Sequence, residues 1–276
     1  MNSHCFTIDV EEYFHANNLQ SYFPVSTCDS IQPRVCDYTY RLLESLYVSN
    51  SKATFFILGW VANKHPELVR DISLAGHEIA SHGYMHQLVF EQSEVSFLED
   101  ITSSKRLLED ITGKEVLGYR APSFSITRDT PWAYDCIVKA GYKYDSSLYP
   151  VRHPRYGNSD RERLPHNIQT ELGLLKVLPV ATLEILGQRL GVAGGAYWRH
   201  FPKILIQNAL EYLAKCDEHA ICYVHPWEID AHQPRVKELG PVTSFRHYGN
   251  TGSSSKKIDY FLQNNSFTSI QNIFFR

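Results

Sequence analysis

The sequence lacks several features that would assign it to a specialised class of protein. Its longest apolar run, around residues 53–62, is far shorter than the ~20 residues that a membrane-spanning helix needs. No basic segment precedes the first apolar residues, so no secretory signal peptide is predicted. The formal net charge of −3 gives no basic footprint for nucleic acid. These absences favour a cytoplasmic protein with no membrane span and no nucleic-acid partner.

Disulfide frameworks and repeat architectures are also not indicated. The six cysteines form no C-x-x-C pair, and without a signal peptide they are expected to be reduced, mostly buried thiols. No internal repeat stands out. The composition, with 43% hydrophobic and 21% charged residues, is that of an ordinary globular protein. A length of 276 residues suits one large domain or two ordinary ones.

Short apolar runs alternate with longer segments that have helical spacing. Such alternation predicts an α/β fold with a mostly parallel sheet, and the chain length suits a barrel. The strand-like runs are Cys5–Val10, Ala53–Leu58, His77–Ser81, Val116–Tyr119, Tyr142–Asp145, Leu174–Val180 and Ala220–Val224.

The stretch around residues 150–200 interrupts this alternation. It is rich in Arg, His, Pro and Gly, and it is interpreted as long loops over one face of the barrel. The prediction is therefore one catalytic domain over residues 1–276, with these loops and a C-terminal extension over about 231–276.

The sharpest local signal is the pair of histidines in Ser-His82-Gly-Tyr-Met-His86. Histidines at i and i+4 can lie on one face of a helical turn and bind a single ion. Imidazole suits zinc and other late first-row metals. The alternative is a pair of structural histidines without a metal, which is common in a chain with 13 of them.

A second polar cluster, Asp9-Val-Glu11-Glu12, ends the first apolar strand. On a strand, Asp9 and Glu11 point to the same side, because side chains alternate with a period of two. They are candidates for a base and a metal ligand, since barrel active sites lie at the carboxyl ends of strands. A solvated acidic strand end is the competing interpretation, mainly for Glu12.

Three further polar clusters end other strands. Arg120 could hold a carboxylate in a charge-assisted pair, and His225 ends a strand beside Trp227, which could stack on a sugar. Asp145 and Tyr149 follow another strand. Each has an ordinary structural alternative, but five clusters at five strand ends supply the ligands, base and acid of a metal hydrolase.

Taken together, Ser-His-x-x-x-His, Arg-x-Pro and the strand-end histidine resemble the polysaccharide deacetylase superfamily, the NodB-homology carbohydrate esterases. The resemblance runs from Thr7 to about His225. The tail around Phe245 also looks like the subgroup associated with exopolysaccharide and exosortase gene clusters. The family resemblance implies a distorted (β/α) barrel and one divalent metal ion, usually zinc, with cobalt, nickel or manganese in some members.

Site roles follow from the resemblance position by position. It implies that Asp9 is the catalytic base, that Arg120 orients it and that His225 is the general acid. His82 and His86 become metal ligands. Asp145 matches a motif that would tune His225, although loosely. The sugar-binding walls are expected to include Phe124, Tyr149 and Trp227, with Trp198 as a further candidate.

The first motif departs from the family pattern. It usually carries a second Asp on the metal, at the position that is Val10 here. The third ligand is therefore expected to be Glu11, with Glu12 and His15 as alternatives.

The predicted function is metal-dependent removal of N-acetyl groups from amino sugars of a polysaccharide or its precursor. The alternatives are hydrolysis of another amide, such as a cyclic amide or an N-formyl sugar, and non-catalytic carbohydrate binding.

Overall fold

The computed structural model of the protein describes residues 3–152 and 160–275. All seven strands predicted from the sequence are present, most of them shorter than the apolar runs that indicated them. The described residues also contain four strands that the pattern did not indicate. In chain order the strands are β1 (His4–Val10), β2 (Thr54–Ile57), β3 (Glu78–Ser81), β4 (Gly118–Tyr119), β5 (Tyr144–Asp145), β6 (His166–Thr170), β7 (Gly173–Val177), β8 (Thr182–Ile185), β9 (Gln188–Gly191), β10 (Ile221–Val224) and β11 (Phe267–Thr268).

Helices connect most of these strands. They include short single-turn elements as well as amphipathic helices whose apolar side packs on the sheet. They are α1 (Val25–Cys28), α2 (Val35–Val48), α3 (Gly59–Lys64), α4 (Pro66–Leu74), α5 (Glu94–Thr112), α6 (Ala133–Lys139), α7 (Ala196–His200), α8 (Lys203–Lys215), α9 (Pro241–Tyr248), α10 (Thr251–Asn264) and α11 (Ile270–Phe274).

The main sheet confirms the α/β fold class. Its strand order is β10-β1-β2-β3-β4-β5-β7-β6, and β11 also pairs with β1. Every pairing in it is parallel except β6 with β7. Within the described residues β6 and β10 do not pair with each other, so the distorted barrel is open. All seven residues of β1 are buried, as expected for a strand in the middle of a parallel sheet.

The stretch around residues 150–200 is not a set of long loops. Its described part contains two antiparallel hairpins, β6–β7 and β8–β9, followed by α7, while residues 153–159 lie outside the described residues. Polar side chains such as those of Asn167 and Gln169 occupy exposed or half-buried positions on these strands. Of the four hairpin strands, only β7 therefore coincides with an apolar run, Leu174–Val180, that the sequence reveals.

The predicted C-terminal extension contributes α9, α10, β11 and α11. Because β10 and β11 both pair with β1, the end of the chain is built into the main sheet. The division into one domain over residues 1–276 remains a prediction, and this pairing supports it.

Two further features bear on the chain's class. All six cysteines are free thiols. Among the described residues, no helix has both the length and the apolar composition that crossing a bilayer requires.

Gly194 holds the segment before α7 against β10 through a parallel bridge to Tyr223. Its φ is +146°, and a Cβ atom there would lie 1.8 Å from the carbonyl oxygen of Tyr223. Gly194→Ala is therefore expected to lower the free energy of unfolding by about 1–3 kcal/mol, as measured by urea denaturation. Gly240→Ala is the control, since its Cβ would meet nothing within 4 Å. Equal unfolding free energies for the two variants would contradict this account of Gly194.

Candidate metal centre and active site

Three buried side chains converge where β1 and β3 end. Glu11 follows β1 directly, and His82 follows β3. One ligand atom from each of Glu11, His82 and His86 lies within 4.8 Å of the other two. His86 Nε2 is 2.7 Å from Glu11 Oε2, and His82 Nε2 is 3.8 Å from the same oxygen. The spacing of the histidines does not reflect a helical turn, because residues 82–86 form a non-helical loop with positive φ at Gly83 and His86.

The surroundings of this cluster suit a divalent cation. Glu11 Oε2 is buried and receives no hydrogen bond of normal geometry from the described residues, although His86 Nε2 lies 2.7 Å away, so a buried charged oxygen is left for another partner. His82 Nδ1 lies 2.8 Å from the Arg120 carbonyl, an arrangement that fixes the ring and leaves Nε2 to bind a metal. Burial lowers the pKa of His82 to about 4, which favours the neutral form that a metal ligand requires.

Neighbouring charges lower the pKa of Glu11, and a hydrogen bond holds its carboxylate in place. Burial alone would raise the pKa of its carboxyl, but the neighbouring imidazoles of His86, His225 and His82 outweigh burial and hold the pKa well below its usual range. Glu11 Oε1 accepts a hydrogen bond of 2.9 Å from the indole N–H of Trp227. One carboxylate oxygen is thus held by the protein, while the other faces the two histidines.

The two alternative ligands have other environments. Glu12 Oε1 accepts hydrogen bonds from the backbone N–H groups of Arg34 and Val35, where α2 begins. His15 Nδ1 accepts one from the backbone N–H of Glu12. Neither side chain belongs to the group that could hold an ion. The geometry therefore favours Glu11 as the third ligand.

Beside this cluster, Asp9 is held by a buried guanidinium. Arg120 Nη1 donates to Asp9 Oδ1 and to Thr7 Oγ1, both at 2.7 Å, and the rest of the guanidinium is bound by Ser146. Arg120 follows β4, so a charge-assisted bond links the ends of two strands of the sheet. The pairing predicted between Asp9 and Arg120 is present.

His225, at the end of β10, completes the group. Its Nε2 lies 3.9 Å from Asp9 Oδ2 and 3.8 Å from Glu11 Oε1. On the other side of the ring, Nδ1 is 3.3 Å from Glu228 Oε2. Burial alone would lower the pKa of His225, but Glu228, Glu11 and Asp9 outweigh it and raise the pKa to about 9.

The family motif that Asp145 matches loosely would have it tune His225, but the structure places Glu228 and not Asp145 beside that ring. Asp145 is buried and accepts hydrogen bonds from the backbone N–H and hydroxyl of Ser147, and burial raises its pKa to about 7. Glu228 contacts His225 instead. The available signal was the spacing of three residues between His225 and Glu228, which is that of a capping box.

The catalytic candidates open into a cavity of about 440 Å³, a volume suited to a small ligand. Phe124 and Trp227 line it, as expected. Tyr149 does not: it is buried and packs its ring against Phe124 and Tyr223. Trp198 is also a core residue, and its indole N–H donates to the Val192 carbonyl.

Two family models match the chain and divide it near residue 145. Polysaccharide deacetylase matches residues 25–144, and a domain of unknown function, DUF3473, matches residues 146–275. By the match over residues 25–144, the chain contains a polysaccharide deacetylase domain. Members of this family are in general metal-dependent, and the group formed by Glu11, His82 and His86 is suited to an ion.

Among curated members of the superfamily, the chain is 32% identical over 108 residues to the peptidoglycan deacetylase of Helicobacter pylori, which covers 39% of this chain and 36% of the relative. It is 34% identical over 77 residues to a peptidoglycan-N-acetylglucosamine deacetylase of Bacillus cereus, covering 28% of each. The chain thus matches about a third of the length of these relatives.

Solved structures with the same fold match over nearly the whole chain. A Mycobacterium smegmatis protein assigned by inference to the polysaccharide deacetylases gives a TM-score of 0.64 at 20% identity, covering 98% of this chain and 88% of that one. Puue allantoinase gives 0.59 at 18% identity, covering 96% and 86%. At such identities these matches establish the fold alone.

Glu11→Gln is expected to weaken metal binding at least about 100-fold, because a ligand loses its charge, whereas losing an outer partner typically costs 10–100-fold. Glu12→Gln is the matched control: its amide oxygen can still accept the bonds from Arg34 and Val35, so the affinity should change little. Competition with a chromophoric chelator measures both. Equal weakening by the two substitutions would contradict the ligand set.

Proposed function

We propose that this chain is a metal-dependent hydrolase that removes N-acetyl groups from amino sugars of a polysaccharide or its precursor. The observation that carries the proposal is the shared cavity, in which the buried group of Glu11, His82 and His86 faces both Asp9 and His225. A non-catalytic carbohydrate-binding protein would have no use for a held carboxylate and an imidazole beside a metal site.

The proposed cofactor is one divalent ion, in the first place zinc, because a ligand set of two imidazoles and one carboxylate with an open position suits catalytic zinc. Cobalt, nickel or manganese could replace it. When bound, such an ion supplies Lewis acidity to a carbonyl oxygen and lowers the pKa of water. Its ligands would be Glu11, His82 and His86.

The protein's own groups would move the protons. With Oδ1 held by Arg120, Asp9 has Oδ2 available to take a proton from a water that attacks the acetamide carbonyl. A carbon–oxygen bond forms and the carbon–nitrogen bond breaks. His225 Nε2 donates the proton that the departing sugar amine needs, and acetate and a free amine result. General acid–base groups of this kind typically contribute 10²–10⁴-fold each.

An amino sugar also suits the remaining cavity walls. Phe124, Tyr223 and Trp227 supply aromatic surface against which a sugar ring can pack. The names of the curated relatives point to N-acetylglucosamine in peptidoglycan. The resemblance of the tail to the exopolysaccharide-associated subgroup points to a nascent exopolysaccharide, and this is the substrate class that we favour.

We place this action in the cytoplasm. The support is chemical: all six cysteines are free thiols, the state that a reducing compartment maintains. Cytoplasmic action would require a substrate that is still a precursor or a growing chain.

A second candidate is hydrolysis of a different amide. The fold is shared with an allantoinase, and the proposed base and acid would serve a cyclic amide equally well. A substrate panel separates the candidates: acetate release from N-acetylglucosamine oligomers supports the deacetylase, while turnover of a cyclic amide or release of formate with no acetate supports the alternative.

Asp9→Asn is expected to retain the metal and to lose acetate release by about 10²–10⁴-fold, because the amide cannot accept the proton. Metal content and acetate are measured on the same sample. His82→Ala serves as the comparison, since it should lose the metal as well. An Asp9→Asn protein that remains active would show that the base is wrongly assigned.

A further inference from the structure

A buried ion pair lies directly behind His225. Arg199 Nε donates to Glu228 Oε1 at 2.8 Å, and the two side chains are 3% and 1% exposed. Both residues line the cavity, and both belong to the part of the chain matched by the domain of unknown function, residues 146–275. Nothing in the proposed chemistry requires Arg199 or Glu228 to touch the substrate.

We infer that Glu228 and Arg199 are positioning residues for His225, and that the C-terminal half of the chain completes the active site through them. The inference rests on the proposed function, in which His225 is the general acid. It assigns to this half a definite task, which is to fix the direction in which His225 Nε2 points.

Glu228 restrains His225 at two atoms. Its Oε2 accepts the backbone N–H of His225 at 3.0 Å and lies 3.3 Å from the ring Nδ1. Nδ1 makes no hydrogen bond of normal geometry within the described residues, but a carboxylate 3.3 Å away favours the tautomer with its hydrogen on that nitrogen and the ring orientation that turns Nδ1 toward it. The other nitrogen, Nε2, is then directed toward Asp9 and Glu11. Glu228 therefore determines which ring nitrogen faces the reacting groups.

Arg199 in turn connects Glu228 to the C-terminal segment. Nη1 donates to the carbonyl of His247 at 2.7 Å and to that of Gly249 at 3.1 Å, and Nη2 donates to that of Arg246 at 2.9 Å. The planar guanidinium presents five donors in a fixed fork, a geometry that the three donors of a lysine ammonium do not reproduce. Because Arg246 and His247 also line the cavity, the bonds that hold Glu228 shape the cavity wall too.

Ring stacking restrains the same residues from another side. The rings of His225 and Trp227 are 4.9 Å apart at 21°, and those of Trp227 and His247 are 4.6 Å apart at 14°. Trp227 also donates to Glu11, so it connects the proposed acid to a metal ligand. Its predicted role as a sugar platform is thus combined with a role in holding the site.

A simple structural role for the pair is the competing explanation. Desolvating two charges is costly, and buried ion pairs can often be replaced by apolar residues without loss of stability. A role in stability alone would not explain why this pair lies against His225 at the cavity. The two explanations predict different effects on different substrates. Only a positioning role should slow the reaction more when the leaving group must be protonated than when it leaves without a proton.

The test compares an acetamide with an activated ester in Glu228→Gln. The amine of the acetamide substrate must be protonated as it leaves, whereas the 4-nitrophenolate of 4-nitrophenyl acetate leaves without a proton. Glu228→Gln is expected to reduce kcat/KM for acetamide hydrolysis about 100-fold and to reduce that for the ester at least tenfold less. Glu228→Asp should recover part of the acetamide activity, and metal content should equal that of the wild type.

Three further variants extend this comparison. Glu218→Gln breaks another Arg–Glu pair of the same half, the one with Arg163, away from the proposed site, so it should not change the ratio of amide to ester rates. His225→Ala should show the same amide-selective loss as Glu228→Gln. Arg199→Lys keeps the charge but not the planar donors, so an intermediate amide-selective loss is expected.

The outcomes test the positioning role and the proposed function separately. Equal losses on amide and ester in Glu228→Gln, or no loss on either, would overturn the positioning role while leaving the deacetylase proposal intact. If His225→Ala itself shows no amide-selective loss, the acid is wrongly assigned, and the positioning role falls with it. A wild-type protein that releases no acetate from any N-acetyl sugar would instead overturn the proposed function.

Discussion

The buried residue Arg120 fixes the positions of the proposed base and of the proposed metal-binding group relative to each other. Its side chain binds Asp9 and packs over the Phe56 ring at 4.1 Å, while its backbone carbonyl lies 2.8 Å from His82 Nδ1. The same residue therefore orients the proposed base and a proposed metal ligand. Because removing one partner of a buried pair leaves an uncompensated charge, at a cost of about 3–5 kcal/mol, this geometry is strongly restrained. The rest of the site is built around it.

The strand order explains why distant segments can share one cavity. β1 carries Asp9, with Glu11 directly after it, and it pairs with β2 on one side and with β10 on the other. His82 follows β3, two positions along the sheet, and His225 follows β10. The carboxyl ends of parallel strands lie at one edge of a sheet. The site consequently combines a residue of each matched region, His82 and His225, with residues of β1, which precedes the first match.

The sequence predicted those features that a single apolar run or a single polar residue is enough to indicate. Apolar runs identified seven strands, and polar residues at their ends identified Asp9, Glu11, Arg120 and His225. It indicated β7 but missed the hairpin partner β6 and both strands of the β8–β9 hairpin, because these strands mix polar and apolar residues over short lengths. It also missed Arg199 and Glu228, since an ion pair between a helix and the turn after a strand has no periodicity. Tyr149 was assigned to the cavity wall, although the neighbouring Phe124 occupies that wall.

Residues of the same type have different roles here because their surroundings differ. This is expected where local environments move the pKa values of titratable groups apart. Glu11 and Glu12 are adjacent, yet the imidazoles hold the pKa of Glu11 well below its usual range, while burial raises that of Glu12 to about 7 despite two backbone hydrogen bonds. Glu228 is equally buried, but Arg199 overcomes burial and lowers its pKa to about 2. A fold shared by a deacetylase and an allantoinase cannot specify such differences. The partner of each carboxylate does, and for this reason function must be argued from the site and not from the barrel.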